Sequence, residues 1–231
     1  MFLILPSGVY LLDRIMNGGL KSGVFTHVYG EAASGKTTLG LQFVSAMCRQ
    51  GLGTLYINSE GTSPLERLEQ MTDKEFKDIQ KMVKILKPHD FVEQGVLIDD
   101  IDLLIREDTR LIVVDTLTKH YRLALEDKKT NYSNHRELNR QAGVLKGLAD
   151  SRDIAVLVLN QVTAKMNGID EFEPVAENIM DYWSDYIVEL RLGRKPGERI
   201  MKRLRPEENH SEGRLLLTTK GFVAETTIEK K

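Results

Sequence analysis

Short apolar runs separated by longer amphipathic stretches organise most of the chain. The runs are Phe25–Tyr29, 54–58, 111–114 and 154–159. The last two are almost continuous in Ile, Val and Leu, the pattern of strands covered on both faces. Between them lie stretches with helical spacing. Residues 37–50 place Leu39, Phe43, Ala46 and Met47 on one side, and 138–149 do the same with Leu138, Ala142, Leu145 and Ala149. Strands alternating with helices predict an α/β fold with a mostly parallel central sheet and crossover helices. From Tyr186 the rhythm changes. Tyr186–Leu192, 199–204, 214–218 and 222–224 are short strand-like pieces punctuated by Gly193, Pro196, Gly197, Pro206, Gly213 and Gly221. They predict a C-terminal β-meander at the sheet edge. Residues 126–136 are polar without apolar periodicity and are expected to form a long mobile loop.

Composition narrows the class. The 231 residues are 41% hydrophobic and 29% charged, as in a globular protein. The longest stretches without Asp, Glu, Lys or Arg, 1–12 and 37–48, are too short to span a membrane as a helix. A single cysteine, Cys48, excludes an internal disulfide, and the histidines at 27, 89, 120, 135 and 210 lack the close pairing of zinc ligands. A reduced, cytoplasmic protein forming one domain over 1–231 is expected. The net charge of −2 excludes a polycationic coat protein but not a local basic patch.

The strongest chemical signal is Gly30, Glu31, Ala32, Ala33, Ser34, Gly35, Lys36, Thr37, which fits G-x-x-x-x-G-K-[ST] at every fixed position. An apolar strand precedes it and a helical stretch follows. The glycines let successive N–H groups face one phosphate, and the helix N-terminus adds positive charge. Lys36 can reach the β- and γ-phosphates, and the Thr37 hydroxyl can hold Mg²⁺.

A second element is 111–114 followed by Asp115, a carboxylate at the C-terminal edge of a buried strand, where ligands of open α/β sheets bind. Asp115 is expected to support Mg²⁺; the alternative is a cap for the next helix. Glu60 ends the strand after the first helix, and its carboxylate faces the γ-phosphate if that strand lies near the loop. Glu31, Asp99, Asp100 and Asp102 are read as solvated.

These residues resemble a known family. Gly8-Val9-Tyr10-Leu11-Leu12-Asp13-Arg14 with Gly18-Gly19-Leu20 is similar to the segment ahead of the phosphate loop in RecA-fold recombinases. Tyr56-Ile57-Asn58-Ser59-Glu60-Gly61-Thr62, Glu66-Arg67-Leu68 and Asn160-Gln161-Val162 resemble motifs of the archaeal RadA recombinases. The stretch 86–94 (LKPHDFVEQ), His120-Tyr121-Arg122 and Pro174-Val175-Ala176-Glu177 point to the short RadB branch. The resemblance implies a RecA-like core that binds ATP and Mg²⁺, hydrolyses ATP weakly, binds DNA, and assists the main recombinase in repair and recombination. Residues Gly30 to Thr37 with Thr38 would hold the triphosphate. Glu60, Lys36 and Gln161 would be the catalytic carboxylate, phosphate cation and γ-phosphate sensor. Thr37 and Asp115 would hold the metal, and Arg67 would lie against adenine. Arg67 as an exposed helix arginine in an ion pair with Glu66 or Glu69, and Gln161 as a polar strand cap, stay open. The N-terminal helix-hairpin-helix module of full recombinases is not expected. An F-x-x-A match at Phe43 and Ala46 is expected to face the core.

Two regions are candidates for DNA, single-stranded by expectation. Residues 191–205 carry Arg191, Arg194, Lys195, Arg199, Lys202, Arg203 and Arg205, with 199, 203 and 205 expected on one face of the meander. Cations guarding a sheet edge are the alternative. The polar stretch 122–136 offers Arg122, Lys128, Lys129 and Arg136, with Tyr121 and Tyr132 for base stacking. Lys165 and Met166 follow Gln161, but the acidic run 170–173 (DEFE) argues against DNA there. Trp183 is expected to pack. Two other roles fit the motifs: a scaffold that ATP merely stabilises, and a signalling ATPase of the KaiC kind.

Overall fold

The computed structural model describes residues 2–61, 63–72, 74–125, 128–164, 172–207 and 211–224. The chain opens with β1 (Ile4–Leu5), α1 (Tyr10–Ile15) and β2 (Leu20–Lys21), where β1 and β2 pair antiparallel. β3 (Phe25–Tyr29), α2 (Lys36–Gln50) and β4 (Gly53–Asn58) form the first crossover, and α3 (Leu65–Thr72), α4 (Phe76–Met82) and β5 (Val83–Leu86) the next. Then come α5 (Phe91–Asp99), a 3₁₀ turn at Ile101–Leu104, β6 (Thr109–Asp115), α6 (Lys119–Leu123), α7 (Lys128–Arg152) and β7 (Ala155–Asn160). A small hairpin of β8 (Val162–Ala164) and β9 (Phe172–Pro174) precedes α8 (Glu177–Trp183). β10 (Tyr186–Leu192), β11 (Glu198–Arg205), β12 (Glu212–Thr218) and β13 (Gly221–Ala224) complete the main sheet.

That sheet has nine strands in the order β13-β12-β11-β10-β3-β7-β6-β4-β5. Pairs from β10 to β5 are parallel, and β10 to β13 form the antiparallel meander. The expected fold class and meander are therefore both present.

Strand alternation divides the core into two layers. Leu111 and Val113 of β6 pack with Leu39, Phe43, Met47 and Leu68 under α1–α4. Ile112 and Val114 point the other way, to Leu138, Ala142, Leu145 and Ala149 under α5–α8. Each Leu, Ile, Val, Phe or Met side chain among these contributes about 1.5–3 kcal/mol on burial. Phe43 and Ala46 are buried in the first layer, as expected. Among the described residues no helix is long and apolar enough to cross a membrane.

The stretch expected to be a loop is helical instead: α7 starts at Lys128. Its first turns have little apolar surface and are anchored by tertiary contacts. The Asn134 side chain donates to the Ala124 carbonyl at 2.7 Å, and the Tyr121 hydroxyl lies 3.4 Å from Nδ1 of His135. Contacts of this kind override a weak local pattern. Trp183 packs over Gly143 and donates to Asn139 Oδ1 at 2.9 Å.

Candidate nucleotide-binding site

The phosphate loop leaves β3 at Gly30 and enters α2 at Lys36. A Cβ on Gly30 would stand 2.1 Å from the Leu190 carbonyl, so only glycine lets the loop lie against β10. Gly35, at φ 101°, caps α2 in the left-handed region, and Ala33 also has a positive φ of 60°. Glu31, expected to be solvated, accepts from the Leu192 N–H at 3.2 Å.

Lys36 is buried, and its ammonium folds onto the loop, donating to the Gly30 carbonyl at 2.7 Å and the Glu31 carbonyl at 2.8 Å. Burial lowers its pKa, while Asp115, Glu60 and Glu31 act in the opposite direction.

Asp115 ends β6 with its side chain almost wholly buried. Oδ2 accepts from the Tyr56 hydroxyl at 2.7 Å, and Oδ1 has no hydrogen-bond partner. Burial pushes the carboxyl up, Tyr56 and the nearby Thr37 side chain pull it down, Glu60 raises it and Lys36 lowers it. Burial and Asp115 also keep the Tyr56 phenol protonated, so it acts as the donor. An orphaned carboxylate oxygen beside a threonine hydroxyl is the donor set that Mg²⁺ takes. The residues therefore fit the metal.

Glu60 lies one residue beyond Ser59, whose N–H is held by the Asp115 carbonyl at 2.7 Å. The Thr116 hydroxyl donates to Glu60 Oε1 at 3.2 Å. Lys119 donates to the Ser59 carbonyl at 2.6 Å and stands 4.0 Å from Glu60 Oε2. Behind this arm, the buried Gln94 accepts from Ser59 Oγ at 3.2 Å and donates to the Leu117 carbonyl at 2.9 Å and to Gln141 Oε1 at 2.8 Å. Sequence reasoning met Tyr56 and Gln94 only inside family-like stretches and gave neither a role, and it passed over Lys119 and Gln141. For Tyr56 a signal existed, an aromatic hydroxyl on the strand next to the Asp115 strand.

Lys36, Thr37, Thr38, Glu60, Asp115 and Gln161 line one open cleft of about 610 Å³, with Arg199 and Leu217 on its meander side. Ala32, Ala33 and Gly35 line it too, so these members of the expected set share one cleft. Arg67 lines an adjoining cavity of about 120 Å³ with Thr38, Leu41 and Pro64. Its guanidinium donates to the Thr218 carbonyl at 2.6 Å and to Gln70, not to Glu66 or Glu69.

The expected DNA set is dispersed. Arg203 is buried, with its guanidinium 5.8 Å from the Tyr186 ring, and is out of reach of a phosphate. A register shift between Ile187 and Val188 of β10 puts Arg205 on the other face, where it donates to the Asp181 and Ser184 carbonyls. Residues 199, 203 and 205 therefore do not share one face. Arg191 pairs with Glu189 at 2.7 Å, and Arg199 turns to the phosphate loop. Arg194, Lys195 and Lys202 are exposed, as are Arg122, Lys129, Tyr132 and Arg136. The Lys128 side chain, Lys165, Met166, Asp170 and Glu171 lie outside the described residues. Tyr121 is buried edge-on against Phe91, 5.8 Å between ring centres, and is unavailable for stacking.

The Rad51 family model matches residues 1–224. The chain belongs to the Rad51 family. Within it, the chain is 37% identical over 203 residues to the DNA repair and recombination protein RadB of Thermococcus sibiricus, covering 85% of this chain and 84% of that one. It is 33% identical over 179 residues to the RadB of Methanococcoides burtonii, covering 78% of this chain and 79% of that one. A crystal structure of the RadB recombinase superposes with a TM-score of 0.81 at 31% identity, covering 96% of this chain and all of that one. The RadB branch of the Rad51 family and its RecA-like fold agree with the resemblance in the sequence.

Proposed function

We propose that this Rad51-family chain is an accessory protein of DNA repair and homologous recombination. It binds Mg²⁺-ATP, hydrolyses it weakly, and uses the nucleotide state to modulate its hold on single-stranded DNA and its work with the main recombinase. The observation that carries the reading is the buried, partnerless Asp115 Oδ1 beside Thr37, in one cleft with Lys36, Glu60 and Gln161.

Thr37 and Asp115 would hold Mg²⁺, which offsets the negative charge of the triphosphate. Lys36 exchanges the Gly30 and Glu31 carbonyls for β- and γ-phosphate oxygens. Glu60, held by Thr116, orients the attacking water and takes its proton. Gln161 reports the terminal phosphate to the β8–β9 hairpin that follows it. Arg67, tethered to the β12–β13 turn, offers its planar face to adenine. Exposed Arg122, Lys129 and Arg136 along α6 and α7, and Arg194, Lys195 and Lys202 on the meander, supply phosphate contacts that weaken as salt rises.

A scaffold that ATP only stabilises is the second reading. Lys119 favours it, because an ammonium 4.0 Å from Glu60 Oε2 competes with an attacking water for that carboxylate. The test is ATP turnover with and without single-stranded DNA, in wild type and Lys36→Ala. Turnover in wild type that DNA alters and the variant lacks supports the enzyme. Melting stabilised by ATP without turnover supports the scaffold, and stable self-phosphorylation would support a signalling ATPase.

A further inference from the structure

We infer that Arg199, carried by the C-terminal meander, is a positioning residue of the nucleotide site that holds the phosphate loop from its outer side. The inference rests on the proposed binding of a nucleoside triphosphate and adds a residue to that site. Arg199 Nε donates to the Ser34 carbonyl at 2.9 Å, and Nη2 donates to the Ala33 carbonyl at 3.0 Å. Nη1 is fixed on the Glu198 carbonyl at 2.8 Å, so the guanidinium plane is set from its own strand. Arg199 also lines the cleft shared by Lys36, Thr37 and Asp115.

The two carbonyls belong to the strained part of the loop. Ala33 has a positive φ of 60°, a region that side chains with a Cβ avoid, and a contact from outside the loop helps to hold it there. The meander supplies further support: Phe222 packs so closely on Gly35 that an added Cβ would lie 3.0 Å from its ring.

A cation on the Ser34 carbonyl also acts electrically. It polarises the same peptide unit, whose N–H belongs to Gly35, and so strengthens a donor of the anion nest. It further opposes the negative ends of two peptide dipoles beside the site of a highly charged anion. Arg199 thus raises affinity by fixing the loop before the anion arrives and by adding positive potential. The register explains why it escapes the basic stripe. Arg199 pairs with Leu192 on one side and Leu215 on the other, and these pairings turn it toward the loop while Lys202 faces solvent.

The experiment titrates Mg²⁺-ATP and Mg²⁺-ADP calorimetrically into wild type, Arg199→Gln and Arg199→Lys. It also measures nucleotide-free melting and binding of a labelled oligothymidylate. Arg199→Gln should weaken both nucleotides about tenfold or more. Arg199→Lys keeps the charge but loses the planar fork that meets the Ser34, Ala33 and Glu198 carbonyls together, and should fall between. Nucleotide-free melting of the lysine variant and oligothymidylate affinity should stay at the wild-type value. Equal nucleotide affinity in all three proteins would overturn the inference and leave the nucleotide reading intact. A loss of nucleotide-free oligothymidylate binding would also overturn it, by returning Arg199 to the DNA surface. Wild type that takes up no nucleotide would overturn both.

Discussion

The Tyr56 hydroxyl satisfies one oxygen of the Asp115 carboxylate at 2.7 Å, and the other oxygen stays buried without a hydrogen-bond partner. A half-satisfied carboxylate in the core destabilises the protein unless a cation joins it. Burial makes the folded protein hold the Asp115 proton more tightly than the unfolded chain does. Its contribution to stability is therefore fully present below the usual value of 3.8 and is lost as pH rises through the raised folded value. Asp115→Asn should make the metal-free protein more stable at neutral pH by about 1–3 kcal/mol. It should also remove the stabilisation that Mg²⁺-ATP gives wild type. Thermal melts across pH, with and without Mg²⁺-ATP, check both effects; a metal-free variant less stable than wild type contradicts them.

His27 gives an opposite pH dependence. It lies on β3, fully buried, with neither ring nitrogen hydrogen-bonded, and burial lowers its pKa to about 3. The unfolded chain binds the proton at the ordinary 6.5, so stability present above 6.5 is lost as pH falls from there toward 3. At about 1.4 kcal/mol for each pH unit crossed, the effect over that window is on the order of a few kcal/mol. His27→Leu should flatten the acid limb of a denaturant-derived stability curve between the ordinary histidine value of 6.5 and about 4. An unchanged limb would assign acid sensitivity to other groups.

Gln94 is the centre of the polar contacts behind the Glu60 arm. Gln94→Met would orphan the Leu117 carbonyl, Gln141 Oε1 and Ser59 Oγ in the core. The expected loss is roughly 2–4 kcal/mol in urea unfolding, accompanied by slower ATP turnover because Ser59 positions Glu60. Full stability in the variant would show that the neighbours find other partners.

Glu60→Gln separates binding from chemistry. The amide keeps the shape and the Thr116 contact but cannot take a proton. Turnover should fall by about a hundredfold or more while ATP affinity changes little. Equal turnover in both proteins would place the proton acceptor elsewhere.

What the sequence revealed depends on how local each feature is. The phosphate loop is contiguous, Asp115 ends an apolar run, and Glu60 lies two residues beyond β4, so the core of the candidate site was legible. The mostly parallel sheet followed from the same runs. The faces of Arg203 and Arg205 were not legible, because the shift opposite Ile187 and Val188 exists only once β10 and β11 pair. The start of α7 was hidden because Asn134 and His135 are held by distant partners rather than by an apolar stripe. Arg199 read as one more cation of a basic stripe until pairing with Leu192 and Leu215 turned it to the phosphate loop. Lys119 carries no motif and Gln94 only ends the family-like stretch 86–94; their roles come from folding onto Ser59.

The most direct test of the nucleotide site is calorimetric titration of Mg²⁺-ATP into wild type and Lys36→Ala. A site built on Lys36, Thr37 and Asp115 requires saturable heat with wild type and binding weaker by about a hundredfold in the variant, which loses a buried cation facing the phosphates. No saturable heat with wild type, or the same affinity in both proteins, would contradict it.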